Sequence, residues 1–430
     1  MKTYTVKLKQ FGVMTGIALS AVGVSGGVTP ANALTFNFTP AAGTSQLAID
    51  GFNAAAALWS SKFTDNVTVN INIDFTALGQ GILAQAGSTR QEFNYGQVYN
   101  ALNTDKLSGD DSTAVGSLGN GSTFNMLLNR TSNNPNGSGS AMPYLDNNGN
   151  ANNSTINMSS ANAKALGIDG LGNAASMSAN NVIAQGFNPR NGTSAEAIQN
   201  AQDKSAMVNA VGSDAFITFS NLFNFDFDPS NGITPGTYDF IGIATHEIGH
   251  VLGFTSGVDI LDINSPPVSG PFSDNQFTFV NTLDLFRYSN ASKNAGVIDW
   301  TADTRDKYFS LDRGATNIAA FATGGNFGDG RQASHWKDNL GIGIMDPTAA
   351  PGELLAISEN DLRAFDVIGW NRPTAVNPNP NPNPNPNPVD VPEPSTFIGT
   401  FIFAAAGADM VLKRRKQLFD LTEDKKTVEV

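Results

Sequence analysis

The chain has 430 residues, 40 % of them hydrophobic, with a formal net charge of −13. That length suits one large domain or two smaller ones, and the acidic balance argues against nucleic acid or an anionic membrane as partner while fitting a soluble extracellular protein. With 0 Cys no disulfide can form, so stability must come from the core and from any bound ions.

Residues 1–33 read as a secretory signal peptide. Lys2, Lys7 and Lys9 make a basic start, Phe11 to Val24 is mostly apolar, and Ala31-Asn32-Ala33 fits a small-x-small cleavage site, so the mature chain is expected from about Leu34. The short apolar run, rich in Gly, Ser and Ala, speaks against a retained anchor. Asp50 to Phe63 carries Phe52, Ala55, Ala56 and Trp59 on one side and predicts a helix. Val67 to Phe75 alternates apolar and polar residues, the pattern of a half-buried strand.

From Asn103 to Asn162, Asn, Gly and Ser dominate, which predicts long loops with short strands near Phe124 to Leu128 and Ile156 to Met158. Asn147-Asn148-Gly149-Asn150 is a turn, and this stretch is surface loop ahead of a substrate- or calcium-binding one. Ser194 to Val211 has helical composition, and Asp214 to Ser220 is a strand. Asp226-x-Asp228-Pro229-Ser230-Asn231-Gly232 has oxygen donors of calcium-loop type, but its Gly is one place off that spacing, so it reads as a turn first.

The helix that follows carries the chemistry. Thr237 or Asp239 offers an N-cap, Phe240, Ile243, Ile248, Val251 and Leu252 recur at three- and four-residue steps, and Gly253 supplies a left-handed stop. Within it stands His246-Glu247-Ile248-Gly249-His250, two of the chain's 3 His. Residues four apart share a helix face, so both imidazoles reach one zinc ion. Glu247 points to the neighbouring side, within reach of a proton on a water held by the metal but not a ligand itself. Zinc lowers the pKa of such a water from ~15.7 to roughly 7.

A catalytic zinc needs a third protein ligand. The compact H-E-x-x-H-x-x-G-x-x-H pattern would place a His at position 256, which is Ser256, and no Glu occurs between His250 and Glu353. Asp259 and Asp262 are oxygen candidates, and His335, in Ser334-His335-Trp336, is the only other histidine. The insertion between Ser256 and Arg331 would shape one wall of a cleft, with a strand or short helix at Thr282 to Tyr288. Ser358 to Trp370, with a Ser cap and apolar Leu362, Phe365 and Ile368, is a closing helix.

Residues 374–390 hold an Asn-Pro repeat, an extended spacer. Residues 391–416 combine Val391-Pro392-Glu393-Pro394, an apolar run from Phe397 to Leu412 interrupted by Asp409, and Lys413-Arg414-Arg415-Lys416; a polar extension, 417–430, follows. The basic cluster fits the positive-inside rule.

The zinc helix, the insertion, Ser334-His335-Trp336 and Gly343-Ile344-Met345-Asp346-Pro347 together resemble the leishmanolysin-like branch of the metzincin metallopeptidases, over roughly Ser213 to Trp370. The resemblance implies an α+β zincin fold: a twisted mixed sheet, a central zinc-binding helix and a Met-turn, with residues 34–253 and 254–373 as its two parts. It implies zinc ligands His246, His250 and His335, general base Glu247, and Met345 beneath the metal. It also implies that 214–220 is an edge strand binding extended peptide by strand addition. The tail is similar to a PEP-CTERM sorting signal, which implies an exosortase-like processing enzyme, transient membrane contact and export to the surface of a Gram-negative bacterium; the competing reading is a plain C-terminal anchor. The expected activity is a secreted zinc endopeptidase on polypeptides, with Zn2+ as cofactor and Ca2+ as a secondary one. The rivals are a non-catalytic zincin-fold surface or matrix protein and a zinc hydrolase with a non-peptide substrate.

Overall fold

The computed structural model describes residues 34–78, 81–170, 213–263 and 272–373, all within one compact unit. The leader, the helix expected over 194–211, the Asn-Pro linker and the sorting tail lie outside these residues. Among the described residues no helix is long and apolar enough to cross a membrane.

Strand β1 (Thr35–Pro40) leads to helix α1 (Gln46–Ser60), which starts earlier than the apolar pattern alone suggests because Ser45 caps it, its side chain accepting from the Ala48 N–H. Phe52, Ala55, Ala56 and Trp59 form its buried face, as the spacing predicts. Strand β2 (Thr68–Thr76) buries Val69, Ile71 and Ile73. Then come β3 (Ala84–Ser88), β4 (Arg90–Asn94), helix α2 (Tyr95–Asp105) and helix α3 (Gly109–Ser117). Helix α3 corrects the loop expectation. Ser108 Oγ accepts from Asp111 N (2.9 Å) while the Asp111 carboxylate accepts from Ser108 N (2.9 Å), and this reciprocal cap holds a polar helix whose Ala114 and Val115 are buried.

Short strands β5 (Met126–Leu128), β6 (Tyr144–Asp146) and β7 (Thr155–Ser159) precede helix α4 (Ser160–Ala165), and β8 (Ala215–Ser220) completes the main sheet. Its order is β1-β2-β8-β3, with β1, β2 and β8 parallel and β3 antiparallel. Strand β8 is therefore interior and buried along its whole length, not the expected edge strand. The edges are β1 and β3, and β3 pairs with β8 in the register Ala84↔Phe219. Its sequence Ala-Gln-Ala-Gly-Ser has no β-branched or aromatic residue, so nothing local announces it.

A parallel pairing of β9 (Phe225–Asp226) with β10 (Tyr238–Asp239) brings the chain into helix α5 (Phe240–Leu252). The Asp226 loop is a turn: its carboxylate accepts from Thr234 N and Oγ1 (2.8 and 2.6 Å). Phe52 of α1, Phe219 of β8 and Phe240 of α5 meet with ring centroids 4.5–5.4 Å apart, clamping helix and sheet together. After helix α6 (Val258–Ile263), the insertion forms a 3-10 turn (Leu283–Phe286) running into β11 (Arg287–Tyr288), so both expectations for that segment hold in part. Helix α7 (Asn290–Ala295) and strands β12 (Ile298–Asp299), β13 (Lys307–Phe309) and β14 (Ala319–Phe321) follow. Strand β12 pairs in parallel with β5, and β13 lies between β11 and β14, so the insertion is a folded part of the body. Helix α8 (Glu359–Asp366), capped by Ser358, closes the described chain.

Arg90 shows how the parts are joined. It is buried and donates to the Asn157 carbonyl (2.7 Å), to Asn157 Oδ1 and to Asn281 Oδ1, tying β4 to β7 and to the insertion.

Candidate metal centre

Asp239, not Thr237, caps helix α5: its Oδ1 accepts from Gly242 N (2.8 Å). At the other end Gly253 takes φ 119° and donates to His250 O, and Phe254 N turns back to Gly249 O (both 3.1 Å). Two indoles grip the helix backbone. Trp59 Nε1 donates to Thr245 O (2.9 Å) and Trp370 Nε1 to Leu252 O (2.8 Å), so the segment bearing both histidines is held at each end.

The three histidines converge. His250 Nε2 lies 3.1 Å from His246 Nε2 and 3.2 Å from His335 Nε2, and the ligand atoms all fall within 4.8 Å of one another. Zinc–nitrogen bonds of ~2.0–2.1 Å place tetrahedral ligands ~3.3–3.4 Å apart, so the spacing suits one such ion. Each ring is oriented through its other nitrogen. His246 Nδ1–H donates to Ile344 O (2.8 Å), His250 Nδ1–H to Phe254 O (2.8 Å) and His335 Nδ1–H to Gln332 O (3.3 Å). That fixes the tautomer: every Nε2 keeps a lone pair, and the lone pairs face one another. Burial drives the imidazoles toward the neutral, ligating form. It lowers His246 to about 4, it lowers His250 to about 3 with help from His246, and it holds His335 well below the ordinary value. Three neutral imidazoles with mutually facing lone pairs are a donor set for a cation.

Glu247 stands beside them, 5 % exposed, with Oε2 finding no hydrogen-bond partner among the described residues. Burial raises its carboxyl to about 8. Met345 lies under the helix: a β-carbon at Gly249 would collide with its sulfur.

The two oxygen candidates are not ligands. The Asp259 carboxylate is buried and accepts from Ala333 N, Ser334 N (3.2 Å) and Ser334 Oγ. Asp262 accepts from Asn326 N (2.7 Å) and Phe327 N (2.8 Å). Both are committed to loop amides, and Asp259 thereby fixes the residue next to His335. Ser256, where the compact pattern would have its histidine, donates instead to Asp284 Oδ1 (2.5 Å).

Asp361 is a site residue that the sequence reading missed. Its Oδ2 accepts from Ile344 N (2.8 Å) and its Oδ1 from Trp336 Nε1 (2.8 Å), so one carboxylate holds the turn that orients His246 and the indole that follows His335. The signal in the sequence is Ser358-x-x-Asp361, a capping-box spacing of which the Ser cap alone is read above.

The histidines and Glu247 open onto a cleft of about 260 Å³. Leu83 and Ala84, at the start of edge strand β3, form one border, and Tyr238, Arg331 and Gln332 put hydrogen-bond donors on its walls. No family model, characterised protein or solved structure shows significant similarity to the chain.

Proposed function

We propose that this chain is an exported zinc-dependent endopeptidase with a metzincin-like fold. The observation that carries the reading is the convergence of three histidine Nε2 atoms beside the partnerless, buried carboxylate oxygen of Glu247, at the wall of an open cleft. His246, His250 and His335 would hold the metal. Zinc, when bound, supplies a Lewis acid that polarises a carbonyl and acidifies water at neutral pH.

The remaining work falls to the chain's own groups. Glu247 Oε2, already desolvated, takes the proton from the attacking water and returns it to the leaving amine. Burial alone keeps this carboxyl protonated at neutral pH, and a neighbouring dication favours the ionised form that a base requires. Residues 81–84, which lead into the buried strand β3, border the cleft, and an extended polypeptide backbone would lie along them. Met345 and Asp361 fix the floor and the turn. A non-catalytic binding protein would have no use for a buried carboxylate with a free oxygen at this position. Export is proposed on the leader, residues 1–33, and exosortase-type processing and membrane contact on residues 391–416, from sequence alone.

Hydrolysis of a denatured protein by the full chain, before and after chelation and with zinc added back, tests the reading. Activity that chelation removes and zinc restores supports it; activity indifferent to chelation rejects it.

A further inference from the structure

A second cluster of oxygen donors lies away from the histidines and takes no part in the proposed reaction. Asp146 ends β6, and Asn152 and Asn153 sit in a 3-10 turn (Ala151–Asn153). Asp274 opens another such turn (Asp274–Gln276) in the insertion, packed against the first. All four side chains are buried, between 0 and 4 % exposed. Gly149, at φ 72°, bends the chain back so that the asparagines face the aspartate that precedes them. Asn152 Nδ2 donates to Asp146 Oδ2 (2.6 Å), and Asn153 Nδ2 lies 3.4 Å from the Asp146 carbonyl, so both amides are directed at Asp146. Asn148 Nδ2 donates to Asp274 Oδ2 (3.3 Å), linking the second carboxylate to the same loop.

Three oxygens here, Asp146 Oδ1, Asn152 Oδ1 and Asn153 Oδ1, are buried with no hydrogen-bond partner among the described residues. All three are acceptors, and one further carboxylate stands with them, that of Asp274, whose Oδ1 also accepts from Asn275 N (2.8 Å). Burial pushes the Asp146 carboxyl up, and the charge of Asp274 adds to that push. Among the described residues no Lys or Arg pairs with either carboxylate. Buried acceptors are ordinarily satisfied, and buried charges are ordinarily paired. Three unsatisfied buried oxygens within the one short segment 146–153, with no cationic side chain on Asp146 or Asp274 among the described residues, are what a bound cation would satisfy.

We propose that Asp146, Asn152, Asn153 and Asp274 form a structural calcium site. The donors are all hard oxygens, which excludes the nitrogen and sulfur preference of zinc. They come from two segments far apart in sequence and mix carboxylates with amides, as the loose coordination of calcium allows; magnesium demands a tight octahedron and keeps most of its water, which a buried site of bulky donors does not accommodate. The ion would tie the Asn-rich loop to the insertion that also carries the cleft wall, serving a chain without disulfides as a cross-link. This inference is independent of the zinc reading.

Equilibrium dialysis of the full chain against radioactive calcium, with zinc content measured on the same samples, tests it in wild type, Asp146→Asn and Asn152→Asp. The expected outcome is about one calcium per wild-type chain, binding at least ~10-fold weaker in Asp146→Asn and tighter in Asn152→Asp, where a charged oxygen replaces an amide one. Zinc content should be the same in all three. Calcium affinity and stoichiometry unchanged in both variants, or no calcium bound by wild type at millimolar concentration, overturns the proposal. Should Asp146→Asn lose its cooperative melt, Asn152→Asp decides alone, and no gain in affinity there overturns it as well.

Discussion

Met345 packs its sulfur against Gly249, in the single helical turn between His246 and His250, so closely that a β-carbon at 249 would overlap it. Helix geometry sets the spacing of the two histidines, and this contact sets the floor beneath them. Gly249→Ala should force Met345 aside, costing about 1–3 kcal/mol of stability and weakening zinc binding. Adding Met345→Ala should restore part of the zinc affinity, because the extra methyl then has room. Thermal unfolding and zinc titration of the single and double variants check this; additive losses would contradict it.

Asp361 should matter beyond its cap. Its carboxylate accepts from Ser358 N (2.7 Å) as well as from Ile344 N and Trp336 Nε1, and Asp361→Ala strands these buried donors together. A loss of about 2–4 kcal/mol is expected. Zinc affinity should fall too, since Ile344 O orients His246. Denaturant unfolding with zinc competition on the folded fraction separates the two effects.

How much of this was legible in sequence depended on how local each interaction is. His246, Glu247 and His250 lie within one turn and a half of helix, and Asp239 and Gly253 mark its ends in residue types whose physics is local. His335 and Met345 are distant in sequence: His335 stood out as the only other histidine, beside Asp259 and Asp262, and Met345 came from the family resemblance alone. Strand β3 stayed hidden because its stability comes from pairing with β8, not from its own side chains. Helix α3 stayed hidden because Asp, Ser and Gly dominate it, and its reciprocal cap decides in its favour. Asp259 was legible as a carboxylate near the site, but its burial against Ser334 depends on how the insertion folds back.

A pH signature is expected at the junction of α3 and α8. Burial raises the Asp366 carboxyl from 3.8 to about 6, opposed by the hydrogen bond from Ser108 Oγ (2.6 Å) and reinforced by Asp111. A raised carboxyl binds its proton more tightly folded than unfolded, so its contribution is fully present below pH ~4 and is lost as pH rises through ~6. Asp366→Asn keeps the shape and removes the charge. The variant should match wild type near pH 4 and exceed it by about 1–3 kcal/mol at pH 7.5. Paired melting curves across that range check the sign; a variant less stable at pH 7.5 than at pH 4, relative to wild type, contradicts it.

Glu247→Gln removes the proposed base while leaving the three histidines untouched. Zinc content should stay at the wild-type level while hydrolysis falls by about 10²–10⁴. Loss of zinc together with activity would instead make Glu247 part of the metal's support.

The central claim is that His335, 85 residues from His250 in sequence, completes a zinc centre that carries hydrolysis. The most direct test is zinc content and hydrolysis of a denatured protein, measured side by side for wild type and His335→Ala. The three-histidine centre predicts that wild type holds zinc and cuts, and that the variant loses both. A variant that keeps its zinc and its activity would show that the third ligand lies elsewhere and would contradict the account.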